Sequence, residues 1–248
     1  MNYFYLFIAI NLLIWSLWLW RYHIKPRFAR GHLQQQLRSR PDYKQLILTE
    51  NVLVTLFHPL SGHSISSEDR KRLPAEKDED AFIYGEIQFL PFFSILEKAK
   101  AQSGDIFYDL GCGIGKAVFT AALYFDLAKA CGIELLPGLY ATAHAQIAKA
   151  TSLLTAAPHH QRLAAVQFVH ANFLNYNFSD ADILFINATC LSYPTWEKLL
   201  AQFMLLKKGS RIIVTSKKIQ QGPFELLHAG LEVMSWGVNS VNIYIKTA

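Results

Sequence analysis

From about residue 104 to the end of the chain, short apolar runs alternate with longer segments rich in alanine and leucine. The short runs predict strands that are buried on both faces, and the longer segments predict helices that cover them. Strands are expected over residues 106–110, 129–135, 166–170, 183–187 and 211–216. Helices are expected over residues 115–128, 138–156 and 194–206. This alternation predicts an α/β fold with a mostly parallel, Rossmann-like sheet and right-handed crossovers.

The last two apolar runs, over residues 231–236 and 241–245, lie too close together for a helix between them. They predict an antiparallel hairpin at the edge of the sheet, because antiparallel strands need only a short connection. With this hairpin the expected sheet has seven strands. The domain that contains it is expected to cover residues 82–248.

An accessory segment is expected over residues 42–81. Apolar positions over residues 42–60 are compatible with a helix that ends at His58-Pro59. The residues from 66 to 80 are polar and densely charged, which predicts a surface loop.

The N-terminus is apolar over residues 3–20, which contain no charged side chain. Eighteen helical residues span about 27 Å, close to the hydrocarbon core of a bilayer at about 30 Å. Tyrosines at one end and tryptophans at the other suit the two membrane interfaces. The pattern predicts a transmembrane anchor within residues 1–20 that contacts the lipid bilayer through residues 3–20. A cleaved signal peptide and a buried core helix are the alternatives.

Positive charge is concentrated near the N-terminus. Residues 1–41 carry six of the lysines and arginines and no acid, whereas the rest of the chain carries 18 basic and 19 acidic residues. Residues 21–41 are therefore expected to be a basic juxtamembrane connector, with the main domain on the cytoplasmic side. The near-neutral remainder argues against a nucleic-acid partner. Cysteine and histidine spacing indicates no metal site.

A glycine-rich turn, DLGCGIG over residues 109–115, follows the first predicted strand and precedes a helix. Glycines permit a tight turn and close approach of a ligand to the backbone. N–H groups at the helix start can donate to a ligand carboxylate, and Asp109 can bind an ammonium. The turn therefore predicts a ligand with an amino-acid moiety. The dinucleotide pattern fails at Lys116, and the P-loop pattern fails at Leu110 and Ala117. A structural turn without a ligand is the alternative.

Polar residues also follow the next two predicted strands. Glu134 ends the second strand, where a carboxylate can accept hydrogen bonds from ribose hydroxyls. Asn172 and Phe173 follow the third strand, where an amide can bind the adenine amine and a ring can pack against the base. A surface acid at Glu134 and core packing at Phe173 are the alternatives. Together these residues predict S-adenosylmethionine as cofactor. Its predicted binding residues here are Asp109, Gly111, Gly113, Gly115, Glu134, Asn172 and Phe173.

These motifs resemble the disruptor-of-telomeric-silencing type of histone lysine methyltransferase, which lacks a SET domain, and its bacterial relatives. The resemblance covers residues 82–248. It is carried by the segments Tyr84-Gly85-Glu86-Ile87, 107–115, 132–134, 172–174, 185–190 and 235–244. This chain departs from the family pattern at Ile87 (threonine in the family), Lys116 (glutamine), Asn172 (aspartate), Ala188 (asparagine) and Ile243 (tyrosine).

The resemblance implies a class I S-adenosylmethionine methyltransferase fold. It also implies that Tyr84 and Glu86 cover the methionine part of the cofactor, and that Phe185 and Asn187 line a methyl-transfer channel. The candidate residues for methyl transfer are Tyr84, Phe185, Asn187 and Trp236. Core packing is the alternative for Phe185 and Trp236, and a strand-end cap is the alternative for Asn187.

The predicted activity is methylation of a lysine side chain, with a protein that carries an accessible lysine as partner. One alternative is a methyltransferase that acts on a membrane-associated small molecule or lipid. Another alternative is a non-catalytic cofactor-binding scaffold.

Overall fold

A computed structural model describes residues 2–20, 24–72, 84–154, 159–235 and 237–248. The strands are β1 Ile106–Leu110, β2 Lys129–Glu134, β3 Val166–His170, β4 Ile183–Ile186, β5 Arg211–Thr215, β6 Phe224–Met234 and β7 Gly237–Lys246. They form one seven-stranded sheet in the order β3-β2-β1-β4-β5-β7-β6. Strands β1 to β5 are parallel, and β7 is antiparallel to both β5 and β6. This confirms the predicted Rossmann-like α/β fold, with a seven-stranded sheet and an antiparallel hairpin at one edge.

Helices precede the first strand in sequence and pack on both faces of the sheet. They are α1 Asn2–Leu19, α2 Lys25–Arg38, α3 Tyr43–Phe57, α4 Gly62–Lys71, α5 Phe89–Lys98, α6 Lys116–Tyr124, α7 Pro137–Leu153, α8 His159–Arg162 and α9 Tyr193–Phe203. Helices α3, α6, α7 and α9 confirm the predicted ones, with ends that differ by a few residues. Helix α5 was not predicted, although it buries six residues of an apolar face.

Two apolar layers cover the two faces of the sheet. Phe107 and Ile183 point to one face, where they pack with the buried sides of α3, α5, α6 and α7. Their neighbours Tyr108 and Leu184 point to the other face, where they pack with α9. Both layers are excluded from water, which explains why β1 and β4 are almost continuously apolar in sequence.

The accessory segment is more helical than the sequence predicts. Helix α3 confirms the predicted helix, but the predicted surface loop is wrong over residues 66–71, which belong to α4. Residues 73–83 lie outside the described part of the chain. The hydroxyl of Ser61 caps α4 by accepting a hydrogen bond from the N–H of Ser64. Asp69 of α4 accepts hydrogen bonds from N–H groups at the start of α7, so a tertiary contact stabilises this helix.

The N-terminal predictions need correction. Helix α2 occupies most of the predicted connector, with Pro26 in its first turn, where a missing N–H breaks no helical hydrogen bond. In the part of the chain that the structure describes, no helix combines the length and the apolarity needed to span a membrane. The predicted transmembrane anchor and bilayer contact over residues 3–20 are therefore not supported.

Candidate active site

A cavity of about 560 Å³ lies at the carboxyl ends of β1, β2 and β4. Strand β1 lies between β2 and β4. The chain therefore adds β2 and β3 on one side of β1, and then crosses back to add β4 on its other side. Such a switch point opens a crevice in a parallel sheet, and the volume suits a small-molecule ligand. The predicted site residues that line it are Tyr84, Glu86, Asp109, Gly111, Gly113, Glu134, Asn172, Phe173, Phe185 and Asn187.

Two buried carboxylates lie at the tips of adjacent strands. Asp109 is 3% exposed and Glu134 is 7% exposed. One oxygen of Glu134 accepts a hydrogen bond from the N–H of Gly113 and the other from the N–H of Leu136, both at 2.8 Å. Burial raises the pKa of both acids, and the charge of Glu134 raises the pKa of Asp109 further. A carboxylate has about four acceptor positions, so Glu134 retains capacity for ribose hydroxyls.

The N–H groups of the glycine turn are largely used within the fold itself. Those of Gly111 and Cys112 donate to a carbonyl of β2, at 2.9 and 3.1 Å. The N–H of Gly113 binds the β2 glutamate, and that of Gly115 donates within the turn at 2.9 Å. These four N–H groups are therefore used within the fold, whereas the predicted donors at the helix start begin at Lys116, the first residue of α6. Lys116 and Ala117 line the cavity, and the first N–H groups of a helix have no partner within the helix, so the predicted contact of the helix start with a ligand carboxylate stays a prediction.

Two glycines of the turn have different surroundings although both have positive φ. A Cβ built on Gly111, at φ +80°, would meet no atom within 4 Å, and this residue lines the cavity. A Cβ built on Gly115, at φ +88°, would lie 2.5 Å from the ring of Phe168. Gly115 does not line the cavity, so its predicted cofactor contact is not supported. Its lack of a side chain allows α6 to pack closely on the sheet.

The residues from Tyr84 to Glu86 form one wall of the cavity. The Tyr84 ring lies so close to Gly113 that a Cβ there would be 2.6 Å away. Burial and the neighbouring Glu86 both raise the pKa of Tyr84 above its ordinary value. The carboxylate of Glu86 forms an ion pair with Lys116, the first residue of α6. This pair connects the loop to the helix that follows the glycine turn.

Asn172 and Phe173 form the part of the cavity nearest β3. The side-chain oxygen of Asn172 accepts a hydrogen bond from the N–H of Leu174 at 2.9 Å, which begins a short 3₁₀ turn. Phe173 is half-buried and packs on the α9 side of the sheet. Their predicted contacts with adenine stay predictions.

Phe185 and Asn187 lie at the end of β4. The Phe185 ring packs edge-to-face on Phe92, with 4.7 Å between ring centroids, so it belongs to the core as well as to the cavity wall. The side-chain oxygen of Asn187 accepts hydrogen bonds from the hydroxyls of Thr215 at 2.7 Å and Thr189 at 2.8 Å. These bonds fix the orientation of the Asn187 carboxamide.

Part of the cavity wall was not among the predicted site residues, and one predicted residue is not among those that the structure describes. Trp236 lies outside the described residues. The cavity residues that were missed include Ser66, Lys116, Leu139, Leu191 and Thr195. Ser66 lies on α4, and nothing in its local sequence indicates that this helix reaches the site. Lys116 had a visible signal, its position directly after the glycine turn.

The residues of the cavity fit S-adenosylmethionine. The buried carboxylate of Asp109 matches the ammonium of the ligand, and that of Glu134 matches the ribose hydroxyls. Burial of a carboxylate is costly unless it is paired, and a bound cation or hydrogen-bond donor would offset that cost. The half-buried ring of Phe173 suits a flat base. Gly111 leaves free the space into which any other side chain would project.

Comparison with known proteins gives relatives that are named as lysine methyltransferases. Over 156 residues the chain is 30% identical to a histone-lysine N-methyltransferase, H3 lysine-79 specific, from Yarrowia lipolytica, covering 60% of this chain and 31% of the relative. Over 123 residues it is 32% identical to a protein-lysine N-methyltransferase from Saccharolobus islandicus, covering 48% of this chain and 66% of the relative. The chain thus spans about a third of the fungal protein.

A solved structure also aligns with the domain. An RNA methyltransferase from Salinibacter ruber, in complex with S-adenosylhomocysteine, aligns with a TM-score of 0.49 and 20% identity, covering 63% of this chain and 90% of that one. The sequence model of one family, described as "Histone methylation protein DOT1", matches residues 63–235. That match covers more than half of the chain and includes the loop, the glycine turn and the strand tips described above. The chain therefore belongs to the DOT1 family of histone methylation proteins.

Proposed function

We propose that this chain is an S-adenosylmethionine-dependent methyltransferase that methylates a lysine side chain of a protein substrate. The observation that carries the proposal is a single cavity that joins the strand tips at Asp109 and Glu134 to the β4 end at Phe185 and Asn187. Cofactor and acceptor groups can therefore meet in one space. Membership of the DOT1 family supports the same chemistry.

When bound, S-adenosylmethionine supplies a methyl group on a positively charged sulfur. The lysine that accepts it must be neutral, whereas the pKa of a free lysine is about 10.4. Apolar walls such as Phe185 and Leu191 disfavour the charged ammonium, so they lower the pKa of a lysine placed beside them. The acceptor amine can then lose its proton to solvent before it enters fully.

The rest of the rate acceleration comes from positioning. Thr215 and Thr189 hold the oxygen of Asn187, which leaves its carboxamide in one orientation at the cavity wall. Tyr84 and the Glu86 ion pair cover another side and reduce contact with water. Holding two reactants about 3 Å apart can remove several kcal/mol from the barrier of a bimolecular reaction.

The cytoplasmic location of the domain stays a prediction.

The proposal is tested by incubating the purified chain with tritiated S-adenosylmethionine and a protein extract. We expect label in protein, and methyllysine after acid hydrolysis. Asn187→Ala should lower incorporation while the affinity for S-adenosylhomocysteine changes little, because the substitution removes a group at the acceptor end. Asn51→Ala is the matched control, since Asn51 is an exposed residue of α3 away from the cavity.

Other outcomes would contradict the proposal. Label that appears only in a lipid extract would indicate the alternative acceptor class. Cofactor binding without label in either fraction would indicate a non-catalytic binding protein.

A further inference from the structure

A chain of hydrogen bonds between uncharged side chains lies behind Asn187, outside the cavity. The Thr189 hydroxyl donates to the side-chain oxygen of Asn187 at 2.8 Å, and the Asn239 amide donates to the Thr189 hydroxyl oxygen at 3.1 Å. The Ser216 hydroxyl lies 2.9 Å from that of Thr189 and donates to the Asn239 oxygen, also at 2.9 Å. Asn187 lines the cavity, whereas Thr189, Ser216 and Asn239 do not. These bonds therefore lead from outside the cavity to one residue of its wall.

The network joins three neighbouring strands at one end of the sheet. Thr189 follows β4, Ser216 follows β5 and Asn239 lies in β7, and these strands are consecutive in the sheet. The backbone N–H of Ser240 donates to the Asn239 oxygen at 2.8 Å, and the N–H of Ser216 donates to the Ser240 carbonyl at 3.0 Å. The Asn239 carboxamide is therefore oriented by its own strand and by the residue after β5.

Ser216 has a backbone conformation that a residue with a side chain rarely adopts. Its φ is +63°, in the left-handed region. Such a conformation is unfavourable, persists only where the surrounding structure fixes it, and is found most often at functional sites. Here it places the Ser216 hydroxyl within hydrogen-bonding distance of both Thr189 and Asn239. The left-handed residue thus closes a ring of three side chains.

The available hydrogens set the direction of these bonds. A carboxamide NH₂ group can only donate, and a hydroxyl carries a single hydrogen. Because Asn239 donates to the Thr189 oxygen, the hydrogen of Thr189 is left for the oxygen of Asn187. Without that donor, Thr189 can turn its hydrogen to the Ser216 oxygen, 2.9 Å away. Asn239 therefore determines which way the Thr189 hydroxyl points.

The Asn187 oxygen is in turn used within the fold. It accepts hydrogen bonds from the hydroxyls of Thr189 and Thr215 and, at 3.4 Å, from the backbone N–H of Thr189. A backbone N–H can only donate, so the atom that it meets is the oxygen of the carboxamide. The NH₂ group is the part of Asn187 that remains for a ligand in the cavity.

We infer that Asn239 is a positioning residue for methyl transfer, which acts through Thr189 to hold the Asn187 carboxamide at the acceptor end of the cavity. This inference rests on the proposed methyltransferase function. It predicts that a residue of the edge hairpin, outside the cavity, changes the rate of transfer and leaves cofactor affinity as it is.

The test begins with two substitutions of Asn239. Asn239→Asp keeps the shape of the side chain and replaces the donor by an acceptor, and Asn239→Ala removes the group without adding charge. With tritiated S-adenosylmethionine at saturation and a protein extract, we expect each to lower the rate about 10-fold, the equivalent of one hydrogen bond. The dissociation constant of S-adenosylhomocysteine, measured by calorimetry, should change about twofold or less.

The matched control is another asparagine that makes a local hydrogen bond. The side-chain oxygen of Asn177 accepts a hydrogen bond from the N–H of Ser179 at 3.0 Å, and Asn177 does not line the cavity. Asn177→Ala should leave both the rate and the affinity at their wild-type values.

A double-mutant cycle tests whether the effect passes through Thr189. Thr189→Val keeps the shape of the side chain and removes the hydroxyl, so it should lower the rate at least as much as Asn239→Ala does. In the Thr189→Val background, Asn239→Ala should lower the rate further by about twofold or less, because the two residues act in one network. A merely structural role of Asn239 would instead give losses that multiply.

A measurement without turnover separates the inference from the proposed function. The side-chain NH₂ signals of Asn187, assigned in ¹⁵N NMR spectra by their loss in Asn187→Ala, should shift in Asn239→Ala and in Thr189→Val but not in Asn177→Ala. Unshifted signals in Asn239→Ala, an unchanged rate, or losses that multiply in the double variant would overturn the role of Asn239. If the wild-type chain transfers no label to protein while the signals shift, the proposed function is contradicted and the coupling of Asn239 to Asn187 stands.

Discussion

Substitution by alanine should mainly lower stability at Gly115 and mainly lower ligand affinity at Gly111. Both have positive φ, at +80° and +88°, so alanine incurs a similar backbone strain of about 1–2 kcal/mol at each. Alanine also reduces the conformational freedom of the unfolded chain equally in both variants. These two effects cancel when the variants are compared with each other, so the difference between them reports on the surroundings of the new Cβ.

The surroundings differ in what the methyl group meets. At Gly115 it would lie 2.5 Å from one ring atom of Phe168 and 2.8 Å from the next. Phe168 is 8% exposed and packs on Phe119 with 5.8 Å between ring centroids, so it cannot move aside freely. Overpacking of this kind costs about 1–3 kcal/mol. Gly115→Ala should therefore lower the free energy of unfolding by about 2–5 kcal/mol, and Gly111→Ala by about 1–2 kcal/mol.

Urea unfolding measures the stability difference, and calorimetry with S-adenosylhomocysteine measures binding. Gly111→Ala should lose most of its affinity because the methyl group projects into the cavity, whereas folded Gly115→Ala should bind nearly as wild type does. The reasoning would be refuted if Gly115→Ala were no less stable than Gly111→Ala. It would also be refuted if Gly111→Ala bound the ligand normally.

Two further predictions follow from buried acids. Asp69→Ala removes the acceptor for the N–H groups at the start of α7 and should lower the free energy of unfolding by about 1–3 kcal/mol. Urea unfolding measures this loss. The control is Glu68→Ala, on the exposed side of the same helix, which should change the free energy of unfolding by no more than about 0.5 kcal/mol. If both variants lost the same stability, Asp69 would not cap α7. The raised pKa of Asp109 means that the folded chain keeps a proton that the unfolded chain has released. The contribution of Asp109 to the free energy of unfolding therefore falls as pH rises from about 4, the pKa of an unfolded aspartate, through the raised pKa of the folded state. Asp109→Asn should flatten that decline in a series of urea titrations, and an unchanged slope would show that Asp109 does not titrate in this way.

The central sheet could be predicted from sequence because its strands are buried on both faces. Strands β1 and β3 have the predicted bounds, and β2, β4 and β5 differ by one residue at their ends. The glycine turn and Glu134 could be located for the same reason, since a tight turn and a polar strand end interrupt apolar runs. Local chemistry determined these features.

The edge of the sheet was less predictable. Strand β6 begins at Phe224, seven residues before the predicted start, and its first residues are mostly exposed. A register irregularity between Leu226 and His228 breaks the alternation of side chains. Backbone hydrogen bonds to β7 stabilise this part of the strand. Such pairing does not require a regular pattern of apolar residues, so the sequence does not predict it.

The sequence by itself determined the order of strands and helices, the turn after β1 and the acids at two strand tips, because each depends on residues near one another in the chain. Only the tertiary structure showed that the turn's N–H groups bind within the fold, that Gly115 packs on Phe168 away from the cavity, and that α4 and Lys116 reach the site. Most of these are contacts between segments distant in sequence. Their geometry depends on how whole elements pack, which no local pattern of residues specifies.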